Sequence, residues 1–519
     1  MIGVSLPPPL QELSAAKHAL AAAMLDARHR ASGLERRARE GEIPLSFAQE
    51  RLYFLDRMQP GSPAYNVYAG LRLRGRLHVT ALERALGEVV RRHEALRTTF
   101  READGVPVQV VEPFTGFLLP VEDLSPLASA EREEAVKRRA AEDAGRLFDL
   151  ATGPLFRATL LRLGPGEHQL LLALHHIVTD GWSMEVLYRE LCALYAAYAG
   201  GCESPLPEPA LQYADFALWQ RERLRGERVA GELAWWKERL AGAPERLELP
   251  TDRPRPAVPT YRGRMVRAML PACVLERLEA LGRGEGATLF MVLLGAFQAL
   301  LSKYGGTDDV VVGTPVSGRT HRETEGLIGC FVNTMVLRTD LGGDPTFREV
   351  VRRVRAVALG ACDHQEVPFE RVVAELHPQR TPGHSPLFQV MFTLAESTDE
   401  AWSPFPGLAV RRTEGERQTS KFELTLACSR RSAGLAAALE YATDLFDAET
   451  VERMLAHFVR LVRQVAEDPA RRLSGVELLA GAERDRALDE WNGAERPYPL
   501  DRCIHRLIEA QAGRTPAAV

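Results

Sequence analysis

Residues 174–183 read Leu-His-His-Ile-Val-Thr-Asp-Gly-Trp-Ser, and this stretch decides how the chain is organised. The run before it, residues 169–174, is short and apolar and follows Gly-Pro-Gly at 164–166, which predicts a buried strand. From Trp182 to Ala199 apolar residues recur at helical spacing. The stretch is therefore predicted to be a strand-to-helix turn, where two consecutive histidines point to opposite sides of the chain because strand side chains alternate.

His176 has a structural and a functional interpretation. A histidine that ends an apolar strand is most often a hydrogen-bonded structural residue. A zinc site is disfavoured, because adjacent histidines cannot easily share one metal and no Cys or Glu lies at ligand spacing. Asp180 follows four residues later and can reach back to a neighbour, while Gly181 permits a backbone conformation that is closed to other residues. The pattern HHxxxDG followed by Trp-Ser, together with further segments, favours a functional role.

Six other segments support that role because of their order and spacing. They are residues 45–55 (LSFAQERLYFL), 92–100 (RHEALRTTF), 212–219 (QYADFALW), 328–338 (IGCFVNTMVLR), 364–370 (HQEVPFE) and 385–392 (SPLFQVMF). With residues 174–183 they resemble the seven motifs of nonribosomal peptide synthetase condensation domains, which are members of the chloramphenicol acetyltransferase-like superfamily. Any one motif would be weak, but seven in order are specific.

The resemblance implies an α/β fold with two chloramphenicol acetyltransferase-like lobes that form a V-shaped pseudo-dimer around a central tunnel. It covers about residues 43–470. We expect a helix and linker over residues 1–42, an N-lobe over 43–242 and a C-lobe over 243–475, with the proline-rich segment 243–259 joining the lobes. Residues 476–519 resemble a linker and the start of an adenylation domain, so we expect the natural polypeptide to continue.

The implied reaction is amide formation between a donor acyl thioester and the amine of an acceptor aminoacyl thioester. The implied partners are upstream and downstream carrier proteins and an adjacent adenylation domain, in a monomeric chain. No cofactor is expected in the domain itself, since the substrates ride on phosphopantetheine arms or on coenzyme A. No carrier domain precedes Met1, which is compatible with a starter domain or with delivery by a separate protein.

The resemblance also assigns the site. His176 is expected to take or position the amine proton, with an ordinary pKa of about 6.5 that leaves it largely neutral. His175 belongs to the same catalytic motif and is expected to be more structural. Asp180 is expected to pair with Arg319, and Gly181 to let the backbone approach the substrate and to offer its N–H to an oxyanion. The substrate tunnel is expected to include four further residues, namely Trp182, Ser183, Asn333 and Ser385.

Several relatives and alternatives remain open. A heterocyclisation domain would carry an aspartate pair instead of the histidines, and an epimerisation domain usually has Trp where Met184 stands. The motifs resemble domains that take an L-configured donor, and starter domains that take a fatty acyl-CoA for lipopeptides. Two other functions compete, a free-standing acyltransferase that uses coenzyme A and a non-catalytic module that recruits partner enzymes.

Composition excludes several classes of protein. The 519 residues exceed a single compact core, and a net charge of −5 argues against a nucleic-acid binder. The seven cysteines are scattered and never in CxxC spacing, which indicates reduced thiols rather than disulfides or a metal site. No apolar run approaches the about 18 residues of a membrane helix, and residues 1–9 lack a basic n-region. We therefore expect a cytoplasmic protein without a membrane or nucleic-acid partner.

Overall fold

The computed structural model describes residues 33–39, 41–376, 385–396, 405–413, 419–486, 488 and 501–517. Contacts divide the chain into two compact units, residues 1–476 and residues 477–519. The helix expected within residues 1–42 falls largely outside the described residues, and residues 33–39 and 41–42, which are described, are not helical.

Helices account for much of both units. In the first unit they are α1 (Phe47–Met58), α2 (Val79–Arg92), α3 (Ser129–Gly145), α4 (Gly181–Ala199), α5 (Tyr213–Arg223), α6 (Glu227–Leu240), α7 (Ala272–Gly284), α8 (Leu289–Gly305), α9 (Phe347–Asp363), α10 (Phe369–Leu376) and α11 (Ala448–Glu467). The second unit contains α12 (Gly481–Asp485) and α13 (Ile504–Arg514).

The strands that the structure describes in the first unit form three sheets. They are β1 (Ile43–Pro44), β2 (Asn66–Gly75), β3 (Thr98–Ala103), β4 (Val106–Val111), β5 (Val121–Asp123), β6 (Phe156–Gly164), β7 (Glu167–His175), β8 (Gly263–Pro271), β9 (Asp309–Val316), β10 (Asn333–Asp340), β11 (Val390–Glu396), β12 (Leu408–Thr413), β13 (Leu424–Arg431) and β14 (Gly434–Ala442). Their orders are β1-β4-β3, β12-β2-β7-β6-β5 and β10-β9-β11-β13-β14-β8.

Strand β7 is the central strand of the five-stranded sheet, and both of its faces are covered. Leu170, Leu172 and Leu174 pack in a core with residues of α2 and α4, while Leu171 packs on the other face with Ala135 of α3. A strand that is buried on both faces reads as a continuous apolar run. Burial of both faces explains why the sequence before His175 is apolar.

The six-stranded sheet belongs to the second half of the chain. Its strands β9, β11 and β13 are parallel, and β10, β14 and β8 are antiparallel to their neighbours. Helix α8 is buried all round from Phe290 to Leu301. Two sheet-centred halves covered by helices confirm the predicted α/β class.

One strand of the second half completes the sheet of the first half. Strand β12 pairs antiparallel with β2, and the Gln169 side chain donates to Thr413 Oγ1 at 2.7 Å. A Cβ at Gly70 would lie 2.2 Å from that hydroxyl, so only glycine allows the close approach. The residue range expected for the second lobe, 243–475, therefore contains a strand that covers the edge of the first sheet.

Local predictions differ in their outcome. A hairpin over Asp104-Gly105 is present as β3 and β4, and the proline-rich residues 243–259 contain neither helix nor strand. Strands β2, β8 and β12 were not predicted from the sequence. Among the described residues no single helix meets the length and hydropathy of a membrane span, although α7 and α8, bent by 104°, do so as a pair.

Candidate active site

The residues around His176 lie where β7 gives way to α4. Strand β7 ends at His175, a single 3-10 turn covers His176–Val178, and α4 begins at Gly181. Asp180 is the N-cap of that helix, and its Oδ1 accepts from the backbone N–H of Ser183 at 2.7 Å. The cap satisfies a donor that the helix cannot satisfy itself, which fixes the turn.

The first histidine of the pair, His175, is packed in the protein interior. It is 5% exposed, meets the Phe148 ring edge-on, and accepts from the backbone N–H of Ile177 through Nδ1 at 3.2 Å. Burial, and then the charge of Lys421, lowers the pKa of His175 to about 4. The buried His175 ring therefore favours the uncharged form, and its structural role stays a prediction.

His176 turns the other way and lines a cavity of about 150 Å³. Its Nδ1 lies 3.9 Å from Sγ of Cys330, which also lines the cavity. Burial, and then the charge of Lys421, lowers the pKa of His176 to about 3. This lowering departs from the ordinary pKa that was expected, and burial of the ring is its main cause.

Asp180 connects the two halves of the chain. Its Oδ2 accepts from the backbone N–H of Phe331 at 2.9 Å, and its Oδ1 lies 3.4 Å from Nη2 of Arg319. The Arg319 side chain is only 1% exposed; it also donates to the backbone oxygen of Thr324 and lies over the Phe331 ring. Every oxygen of this carboxylate has a donor, so Asp180 holds backbone and does not face the cavity.

Gly181 differs from its prediction. It is the first residue of α4, its φ lies outside the left-handed region, and a Cβ there would meet no atom within 4 Å. The conformational freedom of glycine is therefore not used at this position. Gly181 is exposed and is not among the described residues that line the cavity.

Trp182 and Ser183 do not line the described cavity either. The indole Nε1 of Trp182 donates to the backbone oxygen of Glu325 at 2.8 Å. Ser183 is fully buried, and its hydroxyl bonds to both the N–H and the carbonyl of Gly329. Their expected place in the tunnel is corrected, because both side chains are used to hold the segment 325–331 of the second half against α4.

Asn333 lines the cavity, but its amide is occupied. Its Nδ2 donates to the carbonyls of Gln365 and Val367, and its Oδ1 accepts from the N–H groups of Thr334 and Phe369. Asn333 therefore shapes the wall by fixing residues 365–369.

Ser385 was also expected in the tunnel. It is half-buried and lies outside the described lining of the cavity. Its carbonyl accepts a hydrogen bond from the side chain of Gln389 at 3.0 Å. The expected place of Ser385 in the tunnel stays a prediction.

The comparisons with known proteins agree with this geometry. The family model described as "Condensation domain" matches residues 39–488. The chain belongs to the condensation-domain family. This condensation domain is 44% identical over 480 residues to one of the subunits of linear gramicidin synthase from Brevibacillus parabrevis, and 92% of the chain is covered. It spans only 6% of the length of that relative.

A second relative is similar to the chain to the same degree and is also much longer than it. Chondramide synthase of Chondromyces crocatus is 44% identical over 478 residues, which cover 92% of this chain and 12% of that protein. The condensation domain therefore corresponds to a small part of each of these two synthases.

Solved structures share the fold of this condensation domain. The X-domain in its complex with OxyB from teicoplanin biosynthesis superposes with a TM-score of 0.78 at 34% identity, covering 86% of this chain and 98% of that one. The first condensation domain of the calcium-dependent antibiotic synthetase, in complex with a substrate analogue, gives a TM-score of 0.71 at 24% identity and covers 85% and 100%. At that identity the second likeness concerns the fold alone. Condensation domains of nonribosomal peptide synthetases form amide bonds, so this chain is of the acyltransferase class.

The sequence analysis missed several polar residues of the cavity, among them Arg51, Tyr65, Glu370 and Lys421. Arg51 Nε lies 3.5 Å from Glu370 Oε1, and the Lys421 ammonium lies 4.7 Å from the centre of the Tyr65 ring. Burial raises the pKa of Glu370. Arg51 and Glu370 lie within two of the quoted motifs, but nothing in those motifs distinguished them from ordinary residues of a helix. Lys421 lies in no motif, so nothing in the sequence indicated that it reaches the cavity.

The cavity thus contains the His176 imidazole, which favours its neutral form, together with charged side chains. A histidine that is neutral can accept a hydrogen bond from an N–H group and orient it. No group of three or more His, Cys, Asp or Glu that could hold a metal is present among the described residues. The wall combines side chains from both halves of the chain, including Phe47, Arg51 and His176 of the first half and Asn333, Glu370 and Lys421 of the second.

Proposed function

We propose that this condensation domain transfers a donor acyl group from a thioester to the amine of an acceptor aminoacyl thioester, and that His176 orients the amine. The observation that carries the proposal is that the His176 imidazole opens onto a cavity whose wall is built by both halves of the chain. A site of this kind can bring two substrates together and keep bulk water from the thioester.

In the proposed reaction the main task of the protein is to position the amine and the thioester. The amine nitrogen attacks the thioester carbonyl carbon, the C–N bond forms, and the C–S bond breaks. The proton that leaves nitrogen ends on the departing thiol. Because the pKa of His176 is lowered to about 3, its imidazole holds a proton poorly, and we assign it the roles of hydrogen-bond acceptor and transient relay.

The substrates and partners follow from the family. We assign the donor and the acceptor to phosphopantetheine arms of upstream and downstream carrier proteins, with an adenylation domain adjacent. The gramicidin synthase match covers 92% of this chain but only 6% of the relative, which supports a place in a multidomain synthetase. The donor is an L-configured aminoacyl or peptidyl group, or a fatty acyl-CoA if the domain starts a lipopeptide.

The domain boundaries belong to the same proposal. Residues 43–242 and 243–475 form the two lobes, and residues 476–519 are a linker and the beginning of the adenylation domain. Support comes from the segment 243–259, which lacks helices and strands, and from helix α13 in the tail. Asp180 and Arg319 hold the two lobes together at the site.

The test is a reconstituted condensation followed by mass spectrometry of the carriers. Acceptor carriers loaded with individual L-amino acids are mixed with N-acetyl-L-alanyl carrier or with octanoyl-CoA as donor. We expect an amide product on the loaded acceptor carrier. A product on free amine that needs only coenzyme A thioester would instead identify the stand-alone acyltransferase, and no product with any pair would contradict the proposal.

A second candidate, a recruitment module, is favoured by one observation. The chain is 34% identical to an X-domain that was solved in complex with OxyB. The His176 ring in an internal cavity argues against this candidate, because a domain used only for docking needs no imidazole there. Recruitment would be favoured if the parent made no amide while the parent and His176→Ala captured a partner enzyme equally well.

A further inference from the structure

The amine and the thioester place different demands on the cavity. The His176 imidazole can orient the amine, but the carbonyl oxygen of the thioester gains negative charge when the amine adds to it. A hydrogen-bond donor aimed at that oxygen lowers the barrier to the reaction. Gly181, whose N–H was expected to serve this oxygen, is not among the described residues that line the cavity. The donor is therefore sought among the side chains of the described cavity wall.

Tyr65 is the neighbour of His176 across two strands. Asn66, the first residue of β2, is the register partner of His175, the last residue of β7. Because β2 and β7 are antiparallel, the residue before Asn66 lies beside the residue after His175. Both of these residues, Tyr65 and His176, line the cavity. A phenol and an imidazole therefore reach the same space from adjacent positions of the backbone.

The place of the Tyr65 ring is set by its surroundings. Residues Pro63–Tyr65 form a single 3-10 turn that leads directly into β2. The ring packs on the apolar cluster that contains Cys330, whose Sγ lies 3.9 Å from Nδ1 of His176. The Lys421 ammonium lies 4.7 Å from the centre of the ring, a cation–π distance. The phenol is thus held beside the imidazole by packing on more than one side.

The Tyr65 hydroxyl has a proton to donate. Burial raises the pKa of Tyr65, so the phenol is protonated at neutral pH, and Arg51 opposes this rise through its charge and through a side-chain hydrogen bond. A guanidinium has donors only, so the phenol oxygen accepts from Arg51 and its own O–H is left to donate elsewhere. Nε of Arg51 lies 3.5 Å from Oε1 of Glu370, which holds the guanidinium in the cavity wall.

We propose that Tyr65 is a catalytic residue whose hydroxyl donates a hydrogen bond to the carbonyl oxygen of the donor thioester. As the C–N bond forms, the π electrons of the carbonyl move onto this oxygen, and they return to the C=O bond as the C–S bond breaks. Tyr65 keeps its proton throughout, while the amine proton passes by way of His176 to the departing thiol. This role deepens the proposed condensation function and rests on it.

The kinetic test compares Tyr65→Phe with the parent in the reconstituted condensation. Loss of one donor to a developing oxyanion costs about 100- to 1,000-fold in kcat, so we expect a fall of that size with little change in KM for either carrier. Tyr53→Phe is the matched control and should keep the parent's kcat, because Tyr53 packs on the same apolar cluster but is not among the described residues that line the cavity. Tyr65→Met also lacks the hydroxyl and is used if Tyr65→Phe does not fold. An unchanged kcat, or a loss confined to KM, would overturn the proposal.

A second measurement needs no acceptor. The probes are the two donors, N-acetyl-L-alanyl carrier and octanoyl-CoA, each with ¹³C in the thioester carbonyl, and the readout is the infrared band of that carbonyl in the bound state. A hydrogen bond to the oxygen weakens the C=O bond, so the band should lie at lower wavenumber in the parent and in Tyr53→Phe than in Tyr65→Phe. Equal bands in these proteins with both donors would overturn the assignment of Tyr65. A band that depends on Tyr65 in a parent that makes no amide would reject the condensation function and leave Tyr65 as a residue that binds the thioester.

Discussion

The carboxylate of Asp180 accepts a hydrogen bond from the backbone N–H of Phe331, 151 residues further along the chain. This bond joins the N-cap of α4, in the first half, to the segment that enters β10, in the second. The same carboxylate faces the buried Arg319 guanidinium. Asp180, the aspartate of the HHxxxDG pattern, therefore fixes backbone next to the cavity without lining it. Its removal should mainly lower the free energy of unfolding.

Replacement of Asp180 by Ala should destabilise the protein by about 3 to 5 kcal/mol, because it leaves a buried arginine without its carboxylate. Urea denaturation followed by circular dichroism measures this change. Asp123→Ala is the control, since Asp123 is exposed and pairs with Arg162 at the surface, and it should change the unfolding free energy far less. If Asp180→Ala unfolds at the parent's urea concentration, Asp180 has no structural role.

Gly329→Ala should disrupt the same connection by steric overlap. A Cβ at Gly329 would lie 1.9 Å from the ring of Tyr213, which is fully buried and bonds through its hydroxyl to Ser46 and to the Cys330 carbonyl. We expect a lower melting temperature and lower activity. Gly326→Ala is the matched control, because its Cβ would meet nothing within 4 Å, and it should behave as the parent. Equal melting of the two variants would contradict this packing.

His176→Ala should abolish or greatly slow amide formation and leave the fold intact, since the ring lines a cavity. The rate is measured by mass spectrometry of loaded carriers, and the fold by circular dichroism and melting. His78→Ala, at an exposed position, is the control and should keep the parent's rate. Unchanged turnover in His176→Ala would show that His176 is not needed for the reaction.

Stability should fall on mild acidification because of both histidines. Their pKa is about 6.5 in the unfolded chain but is lowered to about 4 for His175 and about 3 for His176 in the folded protein. The unfolded chain therefore binds more protons, so this contribution is complete above about pH 6.5 and is lost as the pH falls towards the folded values, at up to about 1.4 kcal/mol per pH unit for each histidine.

The measurement for this prediction is urea denaturation between about pH 7 and pH 5 in the parent and in His176→Gln. Removal of one depressed histidine should make the decline with falling pH less steep. Parallel curves for the two proteins would show that His176 has an ordinary pKa in the folded state.

Local patterns predicted much of the fold. The apolar run before His175 identifies a strand covered on both faces, and the helical spacing after Trp182 identifies α4 within one residue of its start. Strands β2 and β12 could not be found in this way. Gly70 and Thr413 are register partners in that pair although they lie in opposite halves of the sequence, and neither stands in a periodic pattern that indicates its neighbour.

The sequence alone determined the family, the α/β class and the identity of the histidine to examine, because these depend on the order of short motifs and on local periodicity. Only the tertiary structure decided which groups face His176. It placed Ser183 and Trp182 in packing contacts, left Gly181 in an ordinary helical turn, and brought Lys421 to the cavity. Such proximity arises when distant segments pack together, and so does the desolvation that lowers the pKa of His176.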